Sequence, residues 1–119
     1  MRQLKNVWPL FMPEAPPLWC PLVDVYRTRE GWLLKFDLAG VKLEDVTVRV
    51  GGRRVSVSGH RKDTVIEEGA SYYSMEISYS RFERTIEMPV TLEQARITLE
   101  ARDGILLVRM VTEGNSNVR

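Results

Sequence analysis

Cysteine occurs once in the 119-residue chain, at Cys20. That excludes an intrachain disulfide and a zinc site built from several thiolates at short spacing. Such usage suits a reducing compartment, and the expected location is cytoplasmic. Histidine is as scarce, with His60 standing alone between Gly59 and Arg61. Acid–base catalysis needs a poised group with a partner, and no G-x-S-x-G, H-E-x-x-H or G-x-x-x-x-G-K-[ST] run supplies another route. No enzymatic activity, cofactor or metal is therefore expected. A surplus of one charge is also missing: 17 basic and 16 acidic residues interleave to a net charge of +1. No nucleic-acid or anionic-membrane footprint follows, and Arg53-Arg54 and His60-Arg61-Lys62 read as solvated loop clusters. Long apolar runs are absent from the first twenty residues, where Pro9, Pro13, Glu14, Pro16 and Pro17 interrupt them. Neither a signal peptide nor a spanning helix is expected there.

What is present is an ordinary globular composition, 44% apolar and 28% charged, on a length suited to one hydrophobic core. The chain divides into an arm over residues 1–20, a folded domain over 21–111 and a short tail over 112–119. Prolines crowd Pro9 to Pro21, fixing φ and removing donors, so the arm is expected to be extended and disordered. Its Trp8, Leu10, Phe11, Leu18 and Trp19 are apolar side chains in need of something to touch.

From Pro21 onward the apolar period becomes two, the period of a half-buried strand. Val23 and Val25 share one face, as do Trp32, Leu34, Phe36 and Leu38, with Arg29-Glu30-Gly31 turning between them. Val46, Val48 and Val50 lead through Gly51-Gly52 to Val55 and Val57, a second hairpin. His60 to Ser80 is a long polar excursion whose Tyr72, Tyr73, Met75, Ile77 and Tyr79 alternate weakly enough to allow one extra strand. Phe82, Arg84, Ile86 and Met88 share a face up to Pro89. A capped helical turn is expected over Thr91 to Ala95. Ile97, Leu99 and Ala101 then run through Asp103-Gly104 into Ile105 to Val111. Seven or eight short strands without a normal helix describe an all-β sandwich.

Two residue patterns stand out within it. Arg84 lies among apolar neighbours, where its guanidinium needs a carboxylate or carbonyl partner or must snorkel to the edge. The last strand is apolar on both faces, Leu106, Val108 and Met110 on one and Ile105 and Leu107 on the other. With Val48, Ile105 and Leu107 are candidates for an edge groove that accepts another segment by strand addition; a plain buried strand is the competing reading.

The order of motifs resembles the α-crystallin domain of the small heat-shock proteins, the Hsp20 family, over Pro21 to Val111. The family's P-x-x-D-[VI]-Y, D-L-P-G-V, E-D-[IV], G-E-R, F-x-R and D-G-[VI]-L look like Pro21-Leu22-Val23-Asp24-Val25-Tyr26, Asp37-Leu38-Ala39-Gly40-Val41, Glu44-Asp45-Val46, Gly59-His60-Arg61, Phe82-Glu83-Arg84 and Asp103-Gly104-Ile105-Leu106. The resemblance implies an immunoglobulin-like β-sandwich acting as an ATP-independent holdase, which binds partly unfolded client proteins and limits their aggregation. It implies a stress-response chaperone that self-associates as a strand-exchanged homodimer, and possible larger oligomers, through the excursion. Arg84 and Tyr72, Tyr73, Met75, Ile77 and Tyr79 would then form the dimer interface, and the aromatic arm would contact clients. Ala39, His60, Ile77 and Ser80 depart from the family's usual proline, glutamate, arginine and glycine. No I-x-[IV] motif occurs in Val111 to Arg119, so oligomer size is not implied. A p23-like co-chaperone sandwich, binding one folded partner, is the alternative.

Overall fold

The computed structural model describes residues 19–112. Trp8, Leu10, Phe11 and Leu18, and the tail after Thr112, lie outside the described residues. Seven strands form: β1 (Val23–Arg27), β2 (Gly31–Asp37), β3 (Val46–Gly51), β4 (Arg54–His60), β5 (Arg81–Glu87), β6 (Ala95–Arg102) and β7 (Ile105–Thr112). They make two antiparallel sheets, a four-stranded one in the order β1-β2-β7-β6 and a three-stranded one in the order β3-β4-β5. This is the all-β sandwich that the period-two pattern predicts.

The inward faces are those the alternation picks out. Leu34 and Phe36 of β2, Val55 and Val57 of β4, Phe82 of β5, and Leu106, Val108 and Met110 of β7 are buried together with Leu38, Met88 and Leu92. Among the described residues no polar or charged side chain is buried, so burial of apolar area is what holds the sheets face to face. The hairpins are close to the expected ones. Asp103 and Gly104 both take positive φ, 50° and 84°, the pattern of a two-residue I′ loop whose twist matches the strands it joins. At Gly31 the reason for glycine differs from the expected turn geometry. Its φ is not positive, and a Cβ there would overlap the Met110 carbonyl of β7, so close backbone approach requires it.

Two local expectations are corrected. No strand forms within residues 61–80: its alternation is weak, and inside one chain it finds no ladder to join. Instead Asp63 accepts from the Val65 amide at 3.2 Å, and a turn closes between the Ala70 amide and the Glu67 carbonyl at 3.1 Å. The helical turn expected at Thr91 to Ala95 is a tight turn held by the Ala95 amide on the Leu92 carbonyl, because Leu92 is drawn into the core. One 3₁₀ turn forms at Leu43–Asp45 instead.

Candidate binding surfaces

On the side of the sandwich where the chain enters β1 beside β5, two arginine side chains, Arg84 and Arg61, capture backbone carbonyls. Arg84 sits opposite Val57 of β4 and donates through one terminal nitrogen to the Pro21 carbonyl at 2.9 Å. The sequence asks for a carboxylate or carbonyl, and the carbonyl is what it meets, since Pro21 is itself buried and its oxygen needs a donor. The segment entering β1 is thereby clamped onto β5. Trp19, expected on the arm, packs on the core: its ring meets Phe82 edge-on at 5.5 Å, and its amide donates to the Arg81 carbonyl at 3.0 Å.

Arg61, a solvated loop charge by its sequence context, is a fastening point in the structure. Its guanidinium lies 3.6 Å from the centre of the Trp19 ring, while its side chain donates to the Ser78 carbonyl at 2.9 Å and the Ala39 carbonyl at 3.0 Å. Its amide bonds the Ser80 carbonyl at 3.0 Å. One planar, multi-donor cation thus holds the two ends of the excursion together and stacks on Trp19 at the base of the arm. No sequence signal finds this, because its partners are backbone carbonyls 17 and 22 positions away.

Beyond that base the excursion projects apolar side chains into solvent. Val65, Ile66 and Tyr72 are about 80% exposed or more, and Tyr73 fully so, with Met75, Ile77 and Tyr79 exposed as well. Among the described residues strand β1 pairs only with β2, and its Val25 and Tyr26 are exposed beside Leu22. Four strands facing three leave the inner face of an edge strand partly uncovered, so an unpaired backbone edge and apolar side chains occur together.

The expected edge groove is relocated. Strand β7 is hydrogen-bonded on both sides, to β2 and β6. Ile105 and Leu107 therefore lie on the outer face of the four-stranded sheet, beside Leu33, Lys35 and Arg109, and not at an edge. Val48 does lie on an edge strand, β3. The groove that exists runs between β3 and β6, each the outermost strand of its sheet. Val46 and Val48 of β3 and Ile97 of β6 are partly buried against the core, with Val50 and Leu99 exposed. At one end is a pocket of about 120 Å³ walled by Leu38, Val41, Leu43, Val46, Ala101 and Leu106, and Ile105, expected in the edge groove, lines it as well. At the rim Arg102 contacts Glu100 at 2.6 Å, and this hydrogen bond and charge push the guanidinium above its ordinary value. The apolar face of β6 is plain in the sequence, but its place at a sheet edge is decided by strand order.

Among the described residues, no cluster of three or more His, Cys, Asp or Glu could hold a metal, and no helix is long and apolar enough to cross a membrane. Cys20 is free and exposed.

Two antiparallel sheets of four and three strands with open strand edges define an all-β sandwich domain. The profile of the Hsp20/alpha crystallin family matches residues 24–118, and the chain belongs to that family. It is 32% identical over 97 residues to spore protein SP21 of Stigmatella aurantiaca, covering 82% of this chain and 57% of that protein. Its fold is similar to that of heat shock protein 16.0 from Schizosaccharomyces pombe, with a TM-score of 0.69, 28% identity, and 79% and 87% of the two chains covered. It is likewise similar to HSP18.5 from E. histolytica, with a TM-score of 0.68, 26% identity, and 85% and 95% covered. The chain spans 57 to 64% of the length of the curated relatives it matches first.

Proposed function

We propose that this protein is an ATP-independent holdase chaperone that binds partly unfolded polypeptides and limits their aggregation, and that it acts as a strand-exchanged homodimer or a larger assembly. The observation that carries the reading is the row of exposed Val65, Ile66, Tyr72, Tyr73, Met75 and Ile77 on a segment that joins no strand among the described residues. A soluble surface rarely leaves so many large apolar side chains together without a partner. Addition of Tyr72 to Tyr79 to the free edge of β1 in a second copy satisfies both the unpaired backbone and the exposed side chains. Arg84, which positions the entry to β1, would act at that interface. Client segments would engage the arm residues Trp8, Leu10, Phe11 and Leu18, and an extended apolar segment fits the groove between β3 and β6. Trp19 enters this scheme as the anchor of the arm.

Light scattering of a heated, aggregation-prone client enzyme tests the proposal. Suppression of scattering at a stoichiometric ratio is expected without added nucleotide. Unaltered scattering with the chaperone in molar excess overturns the holdase reading.

A further inference from the structure

The excursion is acidic and the outer stretch of the arm is basic, with the arm's one carboxylate, Glu14, lying between that stretch and the fold. Residues 63–80 contain Asp63, Glu67, Glu68 and Glu76 and no lysine or arginine, whereas residues 2–12 contain Arg2 and Lys5 and no carboxylate. Both are apolar as well, the one through Val65, Ile66, Tyr72 and Tyr73, all highly exposed, the other through Trp8 and Phe11. Their roots are fastened together. Trp19, where the arm meets the sandwich, is hydrogen-bonded to Arg81 and stacked under Arg61, which holds the excursion at Ser78 and Ser80. The arm therefore leaves the fold at the foot of the excursion. Phe11 stands eight positions before Trp19, a tether of at most roughly 26–29 Å.

We propose that the basic, aromatic arm of residues 2–12 docks on the acidic, apolar excursion of residues 63–80 of the same chain. Arg2 and Lys5 pair with Glu67 and Glu68, and Trp8 and Phe11 cover Val65 and Ile66, which leaves Tyr72 to Tyr79 free to join the β1 edge of a second copy. Attachment at Trp19 gives the arm an effective concentration at the excursion that no separate molecule matches in dilute solution. The neighbouring groups on the sandwich do not compete: Lys62 at the start of the excursion is spent on Asp45 at 3.9 Å, and Arg61 on carbonyls and Trp19. Exposed ion pairs are screened by salt, so docking is a salt-sensitive contact that removes the arm's aromatic side chains from solvent. It requires neither client capture nor exchange of strands between subunits.

Hydrogen exchange followed by mass spectrometry on the full 119-residue chain tests this. Exchange across residues 63–76 is expected to rise about fivefold on moving from low to high salt, the scale set by two or three exposed ion pairs. Joint replacement Arg2→Glu and Lys5→Glu should produce the same rise at low salt, and adding Glu67→Lys and Glu68→Lys should restore protection. Exchange within β2 and β7 serves as the folding control, and the salt measurement on the unaltered chain needs no variant. A zero-length carbodiimide cross-link from Lys5 to Glu67 or Glu68 is expected within single molecules when heavy- and light-isotope chains are mixed. Exchange indifferent to salt and to charge reversal overturns the proposal, as do cross-links that join heavy to light chains. Loss of client protection with the exchange pattern intact would count against the holdase reading alone.

Discussion

Gly59 shows how narrowly a single position can be constrained without any ligand nearby. It lies in β4 opposite Phe82, and a Cβ there would overlap both the Asp45 carbonyl and the Phe82 ring. The carbonyl belongs to the 3₁₀ turn and the ring to the core, so neither can yield cheaply. Gly59→Ala is expected to cost about 1–3 kcal/mol as overpacking, seen as a lower urea midpoint with an unchanged slope. In the sequence Gly59 reads as the end of a strand, and nothing in the pattern announces a contact 14 positions away in β3's approach. Arg84 is the contrasting case. Its apolar neighbours are visible in the alternation and demand a partner; that the partner is the carbonyl of Pro21, and not a carboxylate, depends on how β1 enters the sheet.

At the scale of elements, the hairpins were readable because turn chemistry and period two are local. Asp103-Gly104 and the valines of β3 and β4 specify their own pairing over a few residues. The excursion is different. Its ends are held by Arg61 through three carbonyls and one ring, while its middle is exposed. Arg61→Ala is expected to raise amide exchange around Ser78 to Arg81 about fivefold, the effect of losing about 1 kcal/mol of local stability. Core amides in β7 should be unaffected. Lysine at this position should restore little, since an ammonium cannot span Ser78 and Ala39 while lying flat on Trp19. Equal exchange in the alanine variant and the parent would show that the excursion is held by other contacts.

For the whole molecule, the fold's asymmetry points to association. A four-stranded sheet over a three-stranded one leaves β1 unpaired on one side of the sandwich and the β3–β6 groove open on the other. Mass measurement in solution is expected to give a dimer or larger species at micromolar concentration. Arg84→Ala should weaken association by about tenfold, since it frees the Pro21 segment that positions the β1 edge, and should also cost about 1–3 kcal/mol of stability by leaving a carbonyl without its donor. A parent chain that is monomeric throughout would rule out strand exchange.

Residue order alone determined the sandwich and its inward faces, because alternation and tight-turn residues act between neighbours along the chain. It also exposed the opposite charges of arm and excursion. Strand order was beyond it: whether β7 is central or β6 is the edge depends on which strands pair over long sequence separations, so Leu107 falls on a sheet face while Ile105 stays at the pocket that Ala101 of β6 shares with Val46 of β3. The clustering of Arg61, Trp19 and Phe82 was likewise decided only in three dimensions, since cation–aromatic and backbone-carbonyl contacts leave no spacing in the sequence to read.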